Sequence, residues 1–507
     1  MNKLKRTLAL MATLAMATTA FVGCGDDETS KSSSTSESSQ ESSEESSEES
    51  SEESSEESSE ESSEESSEES SEESSEESSE ATGTASEEVG EIDASVGQGG
   101  DKFTVAAWNA DDVPYLLEQW EADTNVSPDH VEFIAFGVGG GDASERYDQI
   151  FSEGTDLDVY FAEADWALKY INDDTKTLPL EKLGFTDDNF ADIYSYTDEI
   201  GKDKNGVRKG VSWQAAAGGF QYRSDLAEEY LGAKTPAEMQ AQIGNWDDFV
   251  TAAKTVAEKS GNTVALADTL GGMWQAFACG RTQPWVVDNK VVIDDFCEDF
   301  ANTAKELWDC GGITKNDQWT DEWTAGGVNG SCMGYFVSTW GFGGFALDAA
   351  GGEGGDTYGK WAVCQGPQQY YWGGTWIVVN PATDNGEDAQ SFIKTFTVDD
   401  AEIKKYALSK PEYCNNKTVM QEIVDENAVM NEVISGNLGG QNYFAELHEN
   451  AKSIDFSGLI TEYDATCKTK FVEAVKETFL EGGGTWDETK DATNVKIAEV
   501  LPDLDWE

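Results

Sequence analysis

Histidine is nearly missing: the 507-residue chain has only His130 and His448. Catalytic relays built on imidazole therefore have little to work with. Both histidines read as surface residues rather than bases, His130 ahead of a strand and His448 in an acidic helical run. None of the 8 cysteines falls in a Cys-x-x-Cys pair, so zinc spacing is missing. There is no Gly-Lys-Ser/Thr loop, which argues against a nucleoside triphosphate site. Positive charge is scarce, with 33 Lys and Arg against 100 Asp and Glu and a formal charge of −67. No basic patch stands out. Such a surface repels nucleic acid and anionic membranes, and disfavours an anionic ligand unless arginines converge locally. Neither a cofactor nor a metal is expected.

What is present falls into two unlike parts. Residues 1–23 read as a secretion signal, with Lys3, Lys5 and Arg6 ahead of an apolar run at 8–22 that is too short to span a membrane. The run ends in Phe21-Val22-Gly23-Cys24-Gly25, which resembles a bacterial lipobox. Cleavage before Cys24 would leave a lipidated, palmitate-bearing cysteine, placing the mature protein on the outer face of the cell membrane. Residues 37–80 then hold 21 Glu and no Lys or Arg in a Ser-Glu-Glu-Ser repeat. Like charges every fourth residue oppose a helix, and nothing apolar offsets the ordering entropy. Residues 24–100 are thus expected to be the lipidated cysteine plus a disordered tether, extended by self-repulsion.

About −43 of charge remains on residues 101–507, and all 16 tryptophans lie there. An acidic surface carrying many amphipathic rings suits a protein that handles polar, uncharged molecules. So many residues imply two or more domains. Residues 103–107 read as a strand ending at Trp108-Asn109, 112–123 as a helix, 131–136 as a strand, 144–151 as a helix and 157–161 as a strand. That alternation predicts a parallel α/β sheet. Helices follow at 247–259, 299–308, 387–397 and 467–480, with strands or buried runs at 211–213, 333–338 and 361–364. The pattern predicts two α/β lobes that the chain crosses more than once.

Gly137-x-Gly139 follows a strand, but Asp142 stands where a dinucleotide fingerprint needs its third glycine, so it reads as a permissive turn. Asp165 follows a strand at the end where α/β sheets present ligand groups. Trp108, Trp213, Trp340 and Trp372 each close or follow an apolar run and are flanked by small or polar residues. Trp120 and Trp308 sit in helix stripes and read as packing. Ring faces stack on sugar rings while Asp, Asn and Gln bond hydroxyls, so the first set fits a sugar site. The run Tyr370-Tyr371-Trp372-Gly373-Gly374-Thr375-Trp376-Ile377-Val378-Val379 combines an aromatic surface, two permissive glycines and a doubly buried strand. It reads as either a bulged core strand or a cleft wall with a hinge.

These residues resemble extracellular solute-binding proteins of carbohydrate ABC transporters, the family of the maltodextrin-binding protein. The resemblance rests on residues 158–165 with Leu178-Pro179-Leu180; Gly219 through Leu226; Asn245-Trp246-Asp247-Asp248-Phe249; Asn329-Gly330 through Ser338-Thr339-Trp340-Gly341; and Trp372-Gly373-Gly374-Thr375. It implies a two-lobed periplasmic-binding-protein-like α/β fold with a ligand cleft between the lobes and hinge closure. Lobe 1 would be 101–213 with 375–435, and lobe 2 would be 214–374 with 436–507. It also implies a non-enzymatic, monomeric, Gram-positive lipoprotein that delivers an oligosaccharide to permease subunits and binds no nucleic acid. The alternatives are a cell-surface glycoside hydrolase and a binding protein for peptides or cationic solutes. The resemblance implies Trp108, Asn109, Asp111, Asp165, Trp340 and Trp372 as ligand residues, and the full expected set adds Glu163, Trp166, Trp213, Gln214, Trp274, Tyr371 and Gly373, of which Trp213-Gln214 has no clear family counterpart. Trp166 stands where the maltodextrin binder has a basic residue, and Ala162 replaces an aromatic.

Overall fold

The computed structural model describes residues 85–506, apart from 109–111, 138–142, 411, 429–430 and 457. The signal segment, Cys24, the Ser/Glu repeat, Asn109, Asp111 and Gly139 lie outside the described residues. Among those described, the strands in chain order are β1 (Phe103–Ala107), β2 (Val131–Ala135), β3 (Val159–Glu163), β4 (Gly210–Ser212), β5 (Gly218–Arg223), β6 (Ala265–Ala267), β7 (Val286–Val287), β8 (Lys290–Val291), β9 (Cys332–Ser338), β10 (Trp361–Cys364), β11 (Thr375–Val379) and β12 (Asp505–Trp506).

The fold is α/β with two lobes, each built on its own sheet. The first sheet runs β2-β1-β3-β11-β4 and the second β10-β5-β9-β6, with a small third sheet β12-β8-β7. β1 is parallel to β2 and β3, as the strand–helix alternation predicts. β11 lies antiparallel to both β3 and β4, so the sheet is mixed. The reason is connectivity: β11 enters from the other lobe rather than through a helical crossover.

β11 is buried along its whole length. Ile377 and Val379 face Phe103, Phe161 and Phe392 on one side, while Trp376 and Val378 join Tyr147, Tyr160 and Tyr170 on the other. Trp120, from helix Asp112–Thr124, packs edge-on against Phe392 at 5.7 Å. In the second lobe, Asn245 caps helix Trp246–Ser260 by accepting the Asp248 N–H at 2.9 Å. Cys467 and Phe471, from helix Asp464–Ala474, enter the same core as Trp274 and Phe300.

β3 starts and ends two residues later than the sequence predicts. Asp158 is not a strand residue but a buried tie, accepting from the Thr104 N–H at 2.8 Å and the Thr383 hydroxyl at 2.6 Å. Consequently Glu163 becomes the last strand residue.

Three other expectations are corrected or resolved. Residues 85–100 lie along the first lobe, with backbone N–H groups of Ser86, Gly90 and Asp93 donating to Asp188, Gly184 and Lys182. Val89, Ile92 and Val96 supply the apolar contact that the Ser/Glu repeat lacks. His448 is buried, not on the surface. Its Nδ1 lies 2.6 Å from the Tyr413 hydroxyl and its Nε2 2.8 Å from Gln421 Oε1, and burial lowers its pKa. All seven cysteines of the described residues are free thiols. Among the described residues no helix is long and apolar enough to cross a membrane.

Candidate functional site

The first wall of the site grows from the C-terminal ends of β1 and β3. Trp108 follows β1 and meets Trp166 edge-on at 5.6 Å. Glu163 ends β3, and its Oε2 accepts the Asp165 N–H at 2.8 Å. Burial, then the neighbouring Asp165 carboxylate, pushes the Glu163 carboxyl well above the usual carboxylate range. Asp165 is ion-paired with Lys468, carried by helix Asp464–Ala474 of the second lobe. A carboxylate–ammonium pair thus ties the lobes across the cleft.

The second wall is tryptophan. Trp340 follows β9, and its Nε1 donates to the Trp372 carbonyl at 3.0 Å while the two rings meet at 5.0 Å and 88°. Trp319 completes the wall, 5.5 Å from the Trp340 ring and 6.0 Å from the Trp372 ring. Trp319 is 65% exposed and has φ 65°, the left-handed region that bulky residues avoid. It is held there from behind by Trp323 at 5.0 Å, whose Nε1 donates to the buried Asp268 carboxylate at 2.9 Å. A large ring displayed to solvent on strained backbone is not placed for packing.

The walls meet at Gly373 and Gly374, with φ 77° and 100°. A Cβ on Gly373 would lie 3.4 Å from Trp340 Nε1 and 3.9 Å from Glu163 Oε1. So Gly373 is the point where a ring of one wall and a carboxylate of the other approach the same backbone. One hollow opens at Gly373, and a larger one adjoins it within the second lobe. The first, of about 40 Å³, lies among Asp165, Gln275, Arg281, Tyr371, Trp372 and Lys468. The other, of about 580 Å³, shares Trp274, Gln275 and Lys468 with it and continues past Gly271, Gln318 and Lys476. The larger volume is in the range of small-molecule sites. Among the described residues no group of three or more His, Cys, Asp or Glu could hold a metal ion.

Behind the cleft, the crossing segments pair with one another. Ala217 bridges to Tyr371, and Gln214 to Cys414. Glu412 sits at this junction, fully buried, accepting from the Thr339 hydroxyl and from Gln214 Nε2 at 3.1 Å. Desolvation raises its pKa to about 7, against the lowering effect of those bonds.

Residues 116–426 match the family of bacterial extracellular solute-binding proteins. The chain belongs to that family. No curated protein is matched in sequence. Among solved structures, an extracellular solute-binding protein of family 1 aligns with TM-score 0.66 at 17% identity, covering 78% of this chain and 100% of that one. The galacto-N-biose-/lacto-N-biose I-binding protein of the ABC transporter from Bifidobacterium longum aligns with TM-score 0.61 at 17% identity, covering 81% and 100%. The GacH receptor of Streptomyces glaucescens aligns with TM-score 0.59 at 15% identity, covering 80% and 99%. At these identities the structures establish the shared fold.

In this solute-binding protein, Trp108, Glu163 and Asp165 share the first wall, with Trp166 buried against Trp108, Tyr147 and Tyr170, and Trp340, Trp372 and Gly373 share the second. Tyr371 lines the smaller hollow, its ring stacked on Tyr196 at 5.3 Å. Trp274 borders both hollows by an edge only. It is 2% exposed and packed against Phe300 and Phe471, each at 4.8 Å. Trp213 and Gln214 are not cleft residues. The Trp213 ring turns into the first lobe, edge-on to Phe161 at 5.4 Å, because β4 ends one residue before it and leaves it on the buried crossing. Gln214 spends its amide on Glu412. Sequence reasoning missed Trp319, Arg281 and Lys468. Trp319 had a readable signal: it lies outside any helix stripe, directly before the Thr320 N-cap. The two cations are single residues brought in by the fold.

Proposed function

We propose that the chain is the substrate-binding lipoprotein of an ABC importer, capturing an extracellular oligosaccharide and delivering it to the permease. The observation that carries this reading is the Trp319–Trp340–Trp372 wall opposite Glu163 and Asp165, with Trp319 exposed on strained backbone and Trp340 and Trp372 half-buried beside it. Rings of this kind stack on the apolar faces of sugars while carboxylates take their hydroxyls. Structural neighbours agree, since they are described with lacto-N-biose, β-1,6-galactobiose and acarbose. The lobes would comprise residues 101–213 with 375–435 and 214–374 with 436–507, hinged where the crossing segments pair. Cys24 would carry the lipid, and the acidic tether would hold the lobes away from the membrane.

A thermal-shift screen of oligosaccharides on the full chain tests the reading, because a ligand of the folded state raises the melting midpoint. At least one neutral oligosaccharide is expected to raise it and to be recovered intact. Release of reducing ends would instead mark a cell-surface glycoside hydrolase, and a rise with peptides alone would mark a peptide receptor. Cys24→Ser is expected to release the protein from the membrane fraction.

A further inference from the structure

Arg281 is the most deeply buried cation facing the cleft, at 7% exposure. It follows the turn Ala278–Gly280, and its guanidinium lies 5.4 Å from the Trp285 ring centroid. Nη2 donates to Asp464 Oδ2 at 2.7 Å. The other oxygen of Asp464 accepts from the Thr461 N–H and hydroxyl, both at 2.8 Å. Asp464 is therefore fully engaged and holds the guanidinium fixed. Nε and Nη1 of Arg281 have no hydrogen-bond partner among the described residues. Charged donors buried without acceptors are unfavourable, so a native protein keeps them for water or a ligand.

Arg281 lines the smaller hollow, whose roughly 40 Å³ has room for about three waters. That is too little for a pyranose ring and enough for a short exocyclic arm. The charges there already balance, Arg281 against Asp464 and Lys468 against Asp165. An entering carboxylate would add uncompensated negative charge to a site whose own charges cancel, on a chain that is already strongly acidic, whereas an uncharged acceptor oxygen adds none. Resting on the sugar-binding reading above, we propose that Arg281 anchors the ligand by donating to an uncharged acceptor oxygen on an exocyclic arm, selecting neutral saccharides over uronic acids. The arm is a hydroxymethyl or an acetamido group, which share this acceptor chemistry.

Calorimetric titration of the full chain with β-1,6-galactobiose, lacto-N-biose and digalacturonic acid tests the proposal, in wild type and Arg281→Lys. Lysine keeps the positive charge beside Asp464 and removes the Nε and Nη1 donors. Wild type is expected to bind one of the neutral sugars, with digalacturonic acid at least about tenfold weaker, and Arg281→Lys to lose about 10–100-fold for the neutral sugar. Analogues of the bound sugar that lack the hydroxymethyl oxygen or the acetamido group, one at a time, assign the arm. If Arg281→Lys does not fold, the deoxy analogue of the bound sugar reads the same contact in wild type and is expected to lose affinity equally. Unchanged affinity in either form, or tighter binding of digalacturonic acid, overturns the role given to Arg281 and leaves sugar binding standing. If none of the three binds, the best neutral saccharide of the thermal-shift screen and its uronic acid counterpart take their place, and a screen in which no saccharide binds fails the sugar reading itself and the role of Arg281 with it.

Discussion

Two tryptophans that look alike in sequence have opposite fates, and the difference is testable residue by residue. Trp213 and Trp340 each end an apolar run beside polar residues. Trp213 is 1% exposed and locked against Phe161, whereas Trp340 faces the cleft with Trp319 and Trp372. Trp213→Ala should therefore cost about 3–5 kcal/mol of stability, as buried aromatic truncations do, while the folded fraction keeps its affinity. Trp319→Ala should do the reverse: a melting midpoint within a few degrees of wild type, and ligand affinity weaker by about 1–3 kcal/mol. Chemical denaturation and calorimetry on both variants read the two quantities separately. Loss of affinity in folded Trp213→Ala, or none in Trp319→Ala, would show that the walls are misassigned.

At the scale of elements, seven of the 12 strands among the described residues were legible because their apolar patterning is strong, whereas most of the helices, many of them short, were not. β1, β9, β10 and β11 fall within one residue of the predicted bounds, and β11 is buried on both faces as its unbroken apolar run requires. What pattern could not supply was pairing. Nothing in Thr375–Val379 says that it runs antiparallel to β3, nor that Gln214 lies beside Cys414, two hundred residues away in sequence. The same gap hid Glu412, an acidic residue whose burial no local sequence pattern announces. Its folded pKa of about 7 lies above the ordinary value of 4.5, so the folded state holds the proton more tightly. Its contribution is then fully present below about pH 4.5 and is lost as pH rises towards 7. Relative to wild type, Glu412→Gln should gain stability progressively across that window, by on the order of 3 kcal/mol at its upper end. Denaturant titrations of both proteins from pH 4.5 to 8 measure the difference; a gap that stays constant or shrinks with pH would remove the buried-acid description of the junction between the crossing segments.

In the whole molecule, Asp165 and Lys468 meet across the cleft, and closure of the two lobes on a ligand is proposed to draw on that pair. A partly buried pair of this kind is worth about 1 kcal/mol, so Lys468→Ala should move the open–closed ratio about fivefold towards open. Small-angle scattering of the ligand-free chain would register this as a larger radius of gyration, and an unchanged radius would mean that the pair does not restrain the lobes. The central claim, capture of a neutral saccharide against the tryptophan wall, is tested most directly by calorimetric titration of the best sugar from the thermal screen into wild type, Trp340→Ala and Trp372→Ala. Wild type is expected to show saturable one-site binding, and each variant a loss on the order of 1–3 kcal/mol. Equal affinity in all three proteins would contradict it.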